Sequence, residues 1–284
     1  MTNKLVRKIK RVYAKQRKNF YQALLPREAQ KRILFIVGCQ RSGTTLMYRI
    51  FYKDLNAKCY GEFSVLSSQD KLKRLRLNPL DIVSKEFGKV RAPFIVLKPL
   101  VESQNLPKLL DYFDDSKAMW MFRHYKDVAA SNLARFGSEN GIDDIRPIVN
   151  NEPGNWRSEH LSGDVRETIT KYFSEDMNLH DAAVLFWYAR NSLFFDLGLD
   201  NAPRVFMCKY HDLVMQPGLM MRSVYEHIGQ PYPGDMIIRD VHAQSLKKGR
   251  AILLSPEVEA LADAMMTRLD AAYENKNPVT LPNR

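Results

Sequence analysis

A three-layer α/β fold, with a central parallel sheet and helices on both faces, is what this sequence predicts. Two observations predict it. Short apolar runs rich in β-branched residues alternate with segments of helical periodicity, and a glycine-bounded turn leads from the first such run straight into a helix. The composition allows it. Of 284 residues 45% are hydrophobic and 26% charged, enough to bury a sizeable core and a balance that excludes a disordered or fibrous chain.

The elements follow in order. Residues 33–37 are a buried strand, residues 38–43 a turn, and a helix runs to about Leu55. Residues 93–97 form a second strand, with a helix over 106–112. Residues 118–122 form a third, with a helix over 126–136. Residues 137–165 are polar, contain Pro147 and Pro153, and read as a long loop of the kind that serves as a lid or acceptor-binding segment. A long helical stretch over 167–199 precedes a fourth strand, 205–209, and helices over 219–228 and 256–273 close the chain. No internal repeat or inter-domain linker divides it. Residues 31–284 read as one domain, preceded by a basic arm, residues 1–30.

Of the formal charge of +11, +10 sits in residues 1–32, the arm and the two residues after it, which hold eleven Lys or Arg and one acid, Glu28. The body is nearly neutral and has no broad basic face that composition can detect, which argues against a nucleic-acid partner. Within the arm Leu5, Ile9, Val12, Tyr13, Phe20 and Leu24 recur at roughly helical spacing. A basic amphipathic helix of this kind either packs its narrow stripe on the body or lies on an anionic membrane surface. The longest apolar run, residues 33–39, is too short to span a bilayer. No secretory signal is visible, and Cys39, Cys59 and Cys208 make neither a disulfide framework nor a metal-binding spacing. The expectation is a cytoplasmic protein, with peripheral contact at the inner membrane face as the further reading of the arm.

The turn Gly38-Cys39-Gln40-Arg41-Ser42-Gly43-Thr44-Thr45 nearly matches a phosphate loop. Backbone N–H groups of such a turn make an anion nest, and the following helix N-terminus adds positive potential. The lysine that a nucleotidase uses on its terminal phosphates is replaced by Thr44, and Arg41 supplies charge from inside the loop instead. The third strand ends in Arg123, where a nucleotidase would often place a magnesium-binding Asp. Ser131 and Arg135 lie on one face of the helix that follows. Two anion sites on one nucleotide-type fold imply a ligand with phosphate at two places.

These residues carry a family resemblance. The chain resembles the sulfotransferases that use 3′-phosphoadenosine-5′-phosphosulfate (PAPS), in motif style the carbohydrate and tyrosylprotein branches, and the expectation is a bacterial cytoplasmic member. The resemblance implies that Arg41-Ser42-Gly43-Thr44-Thr45 cradles the 5′-phosphosulfate and that Arg123 and Ser131, within Phe122-Arg-His-Tyr-Lys-Asp-Val-Ala-Ala-Ser131, hold the 3′-phosphate. The segment from Lys209 through Tyr210 to Val214, with Pro217 after it, resembles a family segment whose Tyr approaches the nucleotide. Ser245-Leu246-Lys247-Lys248-Gly249-Arg250 resembles the basic, glycine-containing segment that closes over PAPS. The resemblance covers roughly residues 33–275.

Sulfuryl transfer needs a base for the acceptor proton and cations for the leaving group. Arg41 and Lys98 are the cations. Lys98 follows the second strand, at the sheet edge where open α/β sheets bind ligands. The His that aryl and steroid sulfotransferases carry two residues after that Lys is Leu100 here. Cys59-Tyr60-Gly61-Glu62 resembles the Cys-Gly-Glu stretch of the tyrosylprotein enzymes, so Glu62 is the expected base, with Glu102 as runner-up. His124, His211 and His242 lack metal spacing and read as structural; no metal is expected, and the reaction should proceed in EDTA. Trp187 and Tyr188 read as core, and Trp156 is the better candidate for touching an acceptor. The leading acceptor class is a saccharide, polysaccharide precursor or glycolipid, ahead of a tyrosyl peptide or small natural product. The rivals are a phosphate-loop kinase, disfavoured by Thr44 and Arg123, and a non-catalytic binding module, disfavoured by the intact Arg41, Lys98, Arg123 and Ser131.

Overall fold

The computed structural model describes residues 2–26, 31–246 and 248–276, with side chains described from Val12 onward. Helix α1 (Thr2–Leu24) leads to strand β1 (Arg32–Gly38), helix α2 (Thr44–Lys53) and strand β2 (Ala57–Tyr60). A small antiparallel hairpin, β3 (Ser67–Gln69) and β4 (Leu75–Leu77), precedes α3 (Leu80–Gly88) and β5 (Phe94–Leu97). A 3₁₀ turn (Leu100–Asn105) leads into α4 (Leu106–Tyr112), β6 (Ser116–Phe122) and α5 (Tyr125–Phe136). Three helices follow, α6 (Asn140–Val149), α7 (Gly163–Tyr172) and α8 (Leu179–Asp196). Strand β7 (Val205–Lys209), α9 (Tyr210–Met215), α10 (Pro217–Ile228) and α11 (Pro256–Lys276) complete the chain.

The five strands of the main sheet run in the order β2-β5-β1-β6-β7, every neighbouring pair parallel. Side chains alternate across it, so each strand feeds both helical layers. On one face Phe94 of β5 meets Phe51 of α2 and Tyr225 of α10. On the other, Phe35 of β1 meets Phe113 beyond α4, Trp120 of β6 meets Phe194 of α8, and Phe122 meets Tyr273 of α11. Burial on both faces explains why β1, β5, β6 and β7 read as unbroken apolar runs.

Three sequence expectations are corrected. The stretch 137–165 is not all loop, because α6 lies within it. Ile142, Ile145 and Ile148 recur on one side of α6 and are buried, outweighing the in-helix Pro147. The continuous helix over 167–199 is two helices. Asn178 starts the second, its Oδ1 accepting from the His180 N–H at 2.8 Å. The fifth strand, β2, was not foreseen; it lies at the sheet edge, and its interior positions are only half-buried.

Helix α1 meets the body through polar groups. Lys18 Nζ donates to the Tyr52 carbonyl at 2.7 Å, and Gln22 Nε2 donates to the carbonyls of Leu55 and Ala57 at 2.9 and 3.0 Å. Lys18 and Gln22 are buried, whereas Val12, Tyr13, Phe20 and Leu24 are exposed. Over residues 12–24 the helix therefore presents its apolar stripe to solvent, the reverse of packing by that stripe. The side chains of Leu5 and Ile9, assigned to the same stripe, lie outside the described residues. Among the described residues no helix is long and apolar enough to cross a membrane.

Candidate active site

The C-terminal ends of all five parallel strands deliver the candidate residues. Beyond β1 the chain turns through Cys39–Gly43 before α2 begins at Thr44. Arg41 and Gly43 both take positive φ, +67° and +99°. Gly43 has no substitute there, since a Cβ would lie 2.3 Å from the Tyr210 ring. That contact brings the loop against the residue that follows β7. Ser42 and Thr44 are buried in the turn.

Arg41 Nε donates to Ser131 Oγ of α5 at 3.0 Å, joining the loop after β1 to the helix after β6. Arg41 makes no ion pair among the described residues. Burial, and then the nearby Arg135 and Arg123 guanidinium groups, push its pKa down. Arg135 itself is exposed near the end of α5. A guanidinium crowded by others and without a carboxylate partner of its own favours an incoming anion.

Arg123, just past β6, is 6% exposed. Its Cζ lies 4.3 Å from the centre of the Tyr210 ring, and its Nη2 is 3.3 Å from Asp127 Oδ2. It also donates to the carbonyls of Arg41, at 3.5 Å, and Ser245. Its Nε is buried with no hydrogen-bond partner among the described residues. The Tyr210 hydroxyl bonds Ser245 Oγ. Gly249 N–H donates to Asp127 Oδ1 at 2.9 Å, and a Cβ on Gly249 would meet the Lys126 carbonyl at 2.3 Å. Ser245 is thus fastened to Arg123 and Tyr210, and Gly249 to the start of α5. Lys248 stands exposed between Ser245 and Gly249, and Lys247 lies outside the described residues.

Beyond the neighbouring strands β2 and β5 lie Glu62 and Lys98. Lys98 is 8% exposed, and its Nζ lies 3.3 Å from Glu62 Oε1 and 3.2 Å from Thr45 Oγ1. The lysine therefore bridges the phosphate loop and the carboxylate. All three line a cleft of about 440 Å³ together with Arg41 and Thr44.

Glu102 does not join them. Although near in sequence, it is buried behind the strand ends, where it pairs with Arg76 at 2.9 Å and accepts from the Leu77 N–H and Asn105 Nδ2. With a second bond from Arg76 Nη2 at 3.4 Å, these contacts fix a loop and occupy both oxygens of the carboxylate.

Trp156, the aromatic expected to face an acceptor, does line the cleft, whereas Arg157 and Arg190 were not foreseen. Arg190 of α8 lines it although 1% exposed, and Trp156 and Arg157 line it from the loop between α6 and α7. Gln40 joins them indirectly, donating to Asp144 at 2.6 Å, which accepts from Arg157 at 2.7 Å. Arg190 had left one signal in the sequence, as the only cation in α8. Trp187 and Tyr188 pack with the core. His211 bonds the adjacent Asp212, and among the described residues no group of three or more metal-ligating side chains is gathered.

A phosphate loop with Arg41 inside and Thr44 where a lysine would stand, set on a parallel sheet, marks a group-transfer enzyme that supplies its own charge to an anionic donor. The family is narrower than that: a model described as the sulfotransferase domain matches residues 31–254, and the chain belongs to that family. No curated protein matches the sequence. Among solved structures it is similar to the sulfotransferase domain of the curacin biosynthetic pathway, at 18% identity and a TM-score of 0.48, over 85% of this chain and 99% of that one. It is also similar to a sulfotransferase from Alicyclobacillus acidocaldarius, at 15% identity and 0.46, over 87% and 96%. Mouse sulfotransferase SULT7A1, complexed with PAP, matches at 11% identity and 0.41, over 92% and 88%.

Proposed function

We propose that this sulfotransferase takes PAPS as donor and sulfates a hydroxyl of a saccharide, polysaccharide precursor or glycolipid, with Glu62 as base. The observation that carries the reading is Lys98 Nζ, held between Thr45 of the phosphate loop and Glu62 at 3.2 and 3.3 Å. The buried, unpartnered Nε of Arg123 and the crowded Arg41 fit a ligand with anionic groups at two places. Arg41 through Thr45 would hold the 5′ end, and Arg123, Ser131, Tyr210 and the 245–250 segment the 3′-phosphate side. Arg135 and Lys248, both exposed, would add charge at its edge.

When bound, the donor supplies a sulfuryl group on a phosphate leaving group. Glu62 orients the acceptor hydroxyl and takes its proton as the new oxygen–sulfur bond forms. Lys98 and Arg41 receive the negative charge left on the bridging oxygen as the old sulfur–oxygen bond breaks, giving PAP and the sulfate ester. Calorimetry tests the donor assignment. PAP should bind more tightly than AMP, ADP or ATP, and Arg123→Ala should remove roughly 1.5–3 kcal/mol of that preference. ATP binding as tightly as PAP would overturn the assignment.

The arm, residues 1–30, is read as a membrane-surface attachment preceding the catalytic domain, residues 31–284. Its support is the outward stripe of Val12, Tyr13, Phe20 and Leu24 on a helix rich in Lys and Arg. Replacing those four residues with serine should lower binding to vesicles containing phosphatidylserine at least tenfold and leave PAP affinity unchanged. Binding by the parent chain should weaken with added salt. Equal vesicle binding by both chains would remove the arm from this role.

A further inference from the structure

The cleft holding Lys98 and Glu62 extends away from the phosphate loop, and that extension has no carboxylate in its lining. Glu62, at the chemical end, is the only acid among the lining residues. Besides Arg41 and Lys98, four further cations line it: Lys73 and Arg74 from the turn between β3 and β4, Arg157, and Arg190.

These four are not equivalent. Arg74 pairs with Asp70 at 2.7 Å, and Arg157 with the buried Asp144 at 2.7 Å. Lys73 is exposed. Arg190 is 1% exposed, yet its hydrogen bonds go to neutral oxygens, the Trp156 carbonyl and Gln104 Oε1, each at 3.1 Å. It forms no ion pair among the described residues. Burial pushes its pKa down to about 10, so it remains a cation at neutral pH. A guanidinium carried into the interior of a helix layer without an ion-pair partner is costly; the Asp144 and Glu159 carboxylates act on it from beyond contact and do not outweigh its burial, and packing alone would have been served by an apolar residue. The cost makes sense where an anion arrives from the cleft.

Trp156 gives this position a shape. Its ring lies 4.5 Å from the Arg157 guanidinium and 5.2 Å from that of Arg190, and it meets Phe186 edge-on at 6.0 Å. The two cations are thereby held by one aromatic plate that also walls the cleft. We propose that the acceptor carries an anionic group, a carboxylate or phosphate, apart from its reacting hydroxyl, and that Arg190 receives this group beside Trp156.

The inference rests on the proposed sulfuryl transfer, and its test separates the two. Protein loaded with PAP is titrated calorimetrically with three matched pairs: methyl glucuronide and its methyl ester, 3-hydroxyoctanoate and its methyl ester, glucose 6-phosphate and glucose. In at least one pair the acid should bind ten-fold or more tightly than its neutral partner. The glucuronide and hydroxy-acid pairs report a carboxylate, and the glucose 6-phosphate pair reports a phosphate. Arg190→Gln should bring the ratio close to one with PAP affinity unchanged, and Arg190→Lys should restore part of it. A protein that fails to bind PAP contradicts the donor assignment instead. No acid preference in any pair of the unaltered chain, including absence of binding by every acid, overturns the proposal whatever the stability of the variants. An acid preference that Arg190→Gln leaves intact in a folded protein overturns the assignment to Arg190.

Discussion

Lys98→Ala should lower turnover by about 10²–10³ at saturating PAPS, the usual effect of removing one preorganised charge from a developing anion. PAP affinity should change far less, because leaving-group charge is greatest in the transition state. Arg123→Ala and Ser131→Ala should do the reverse, weakening PAP while sparing the chemical step. The geometry supplies a control. Lys98 is the cation at Glu62, 3.3 Å away, and alanine leaves that carboxylate without it. Lys98→Arg keeps the charge but changes the donor geometry, and should recover only part of the rate. Single-turnover assays with saturating donor, alongside PAP calorimetry and thermal melts, separate chemistry from binding and folding. Near-normal turnover by Lys98→Ala would exclude Lys98 from the leaving-group role.

The two residues that meet at the strand ends were unequally legible in the sequence. Lys98 follows a strand buried on both faces, so the run 94–97 announced both the strand and its open end. Glu62 follows β2, where Lys58 and Cys59 are only half-buried, and no apolar run marks the strand. Its place came from the resemblance of Cys59-Tyr60-Gly61-Glu62 to a known stretch rather than from periodicity. The phosphate loop was legible because its constraint is local: Arg41 and Gly43 take positive φ within one short turn between a strand and a helix. What the sequence hid is non-local. Glu102 lies four residues past Lys98, yet its fate is decided by Arg76, which no pattern in the interval reveals. Arg190 reads as the one Lys or Arg in a largely apolar helix, and only the folded chain sets it beside Trp156 and the cleft. The reversed polarity of α1 is similar. Helical spacing defines the stripe of Val12, Tyr13, Phe20 and Leu24, but the hydrogen bonds of Lys18 and Gln22 decide which way it points.

Glu62→Gln should reduce turnover by about 10²–10⁴, the range typical of a positioned general base. Glutamine keeps the size and hydrogen-bonding reach of the side chain and removes its basicity. PAP affinity should stay within a few-fold, since no anion contact is lost, and it should tighten slightly as one negative charge leaves the site. The ion pair adds a second consequence. With Lys98 Nζ shared between Thr45 and Glu62, the substitution releases the lysine toward the phosphate loop and the donor. A lower rate with equal or tighter PAP binding therefore distinguishes loss of a base from a collapsed site, which would lose both. Glu102→Gln serves as the comparison. It disturbs the contacts with Arg76, the Leu77 N–H and Asn105, so its effect should appear in the melting temperature, with the chemical step nearly unchanged. Should Glu102→Gln abolish turnover in a folded protein while Glu62→Gln remains active, proton abstraction belongs elsewhere, and Glu62 is left as the counter-ion that holds Lys98 in position.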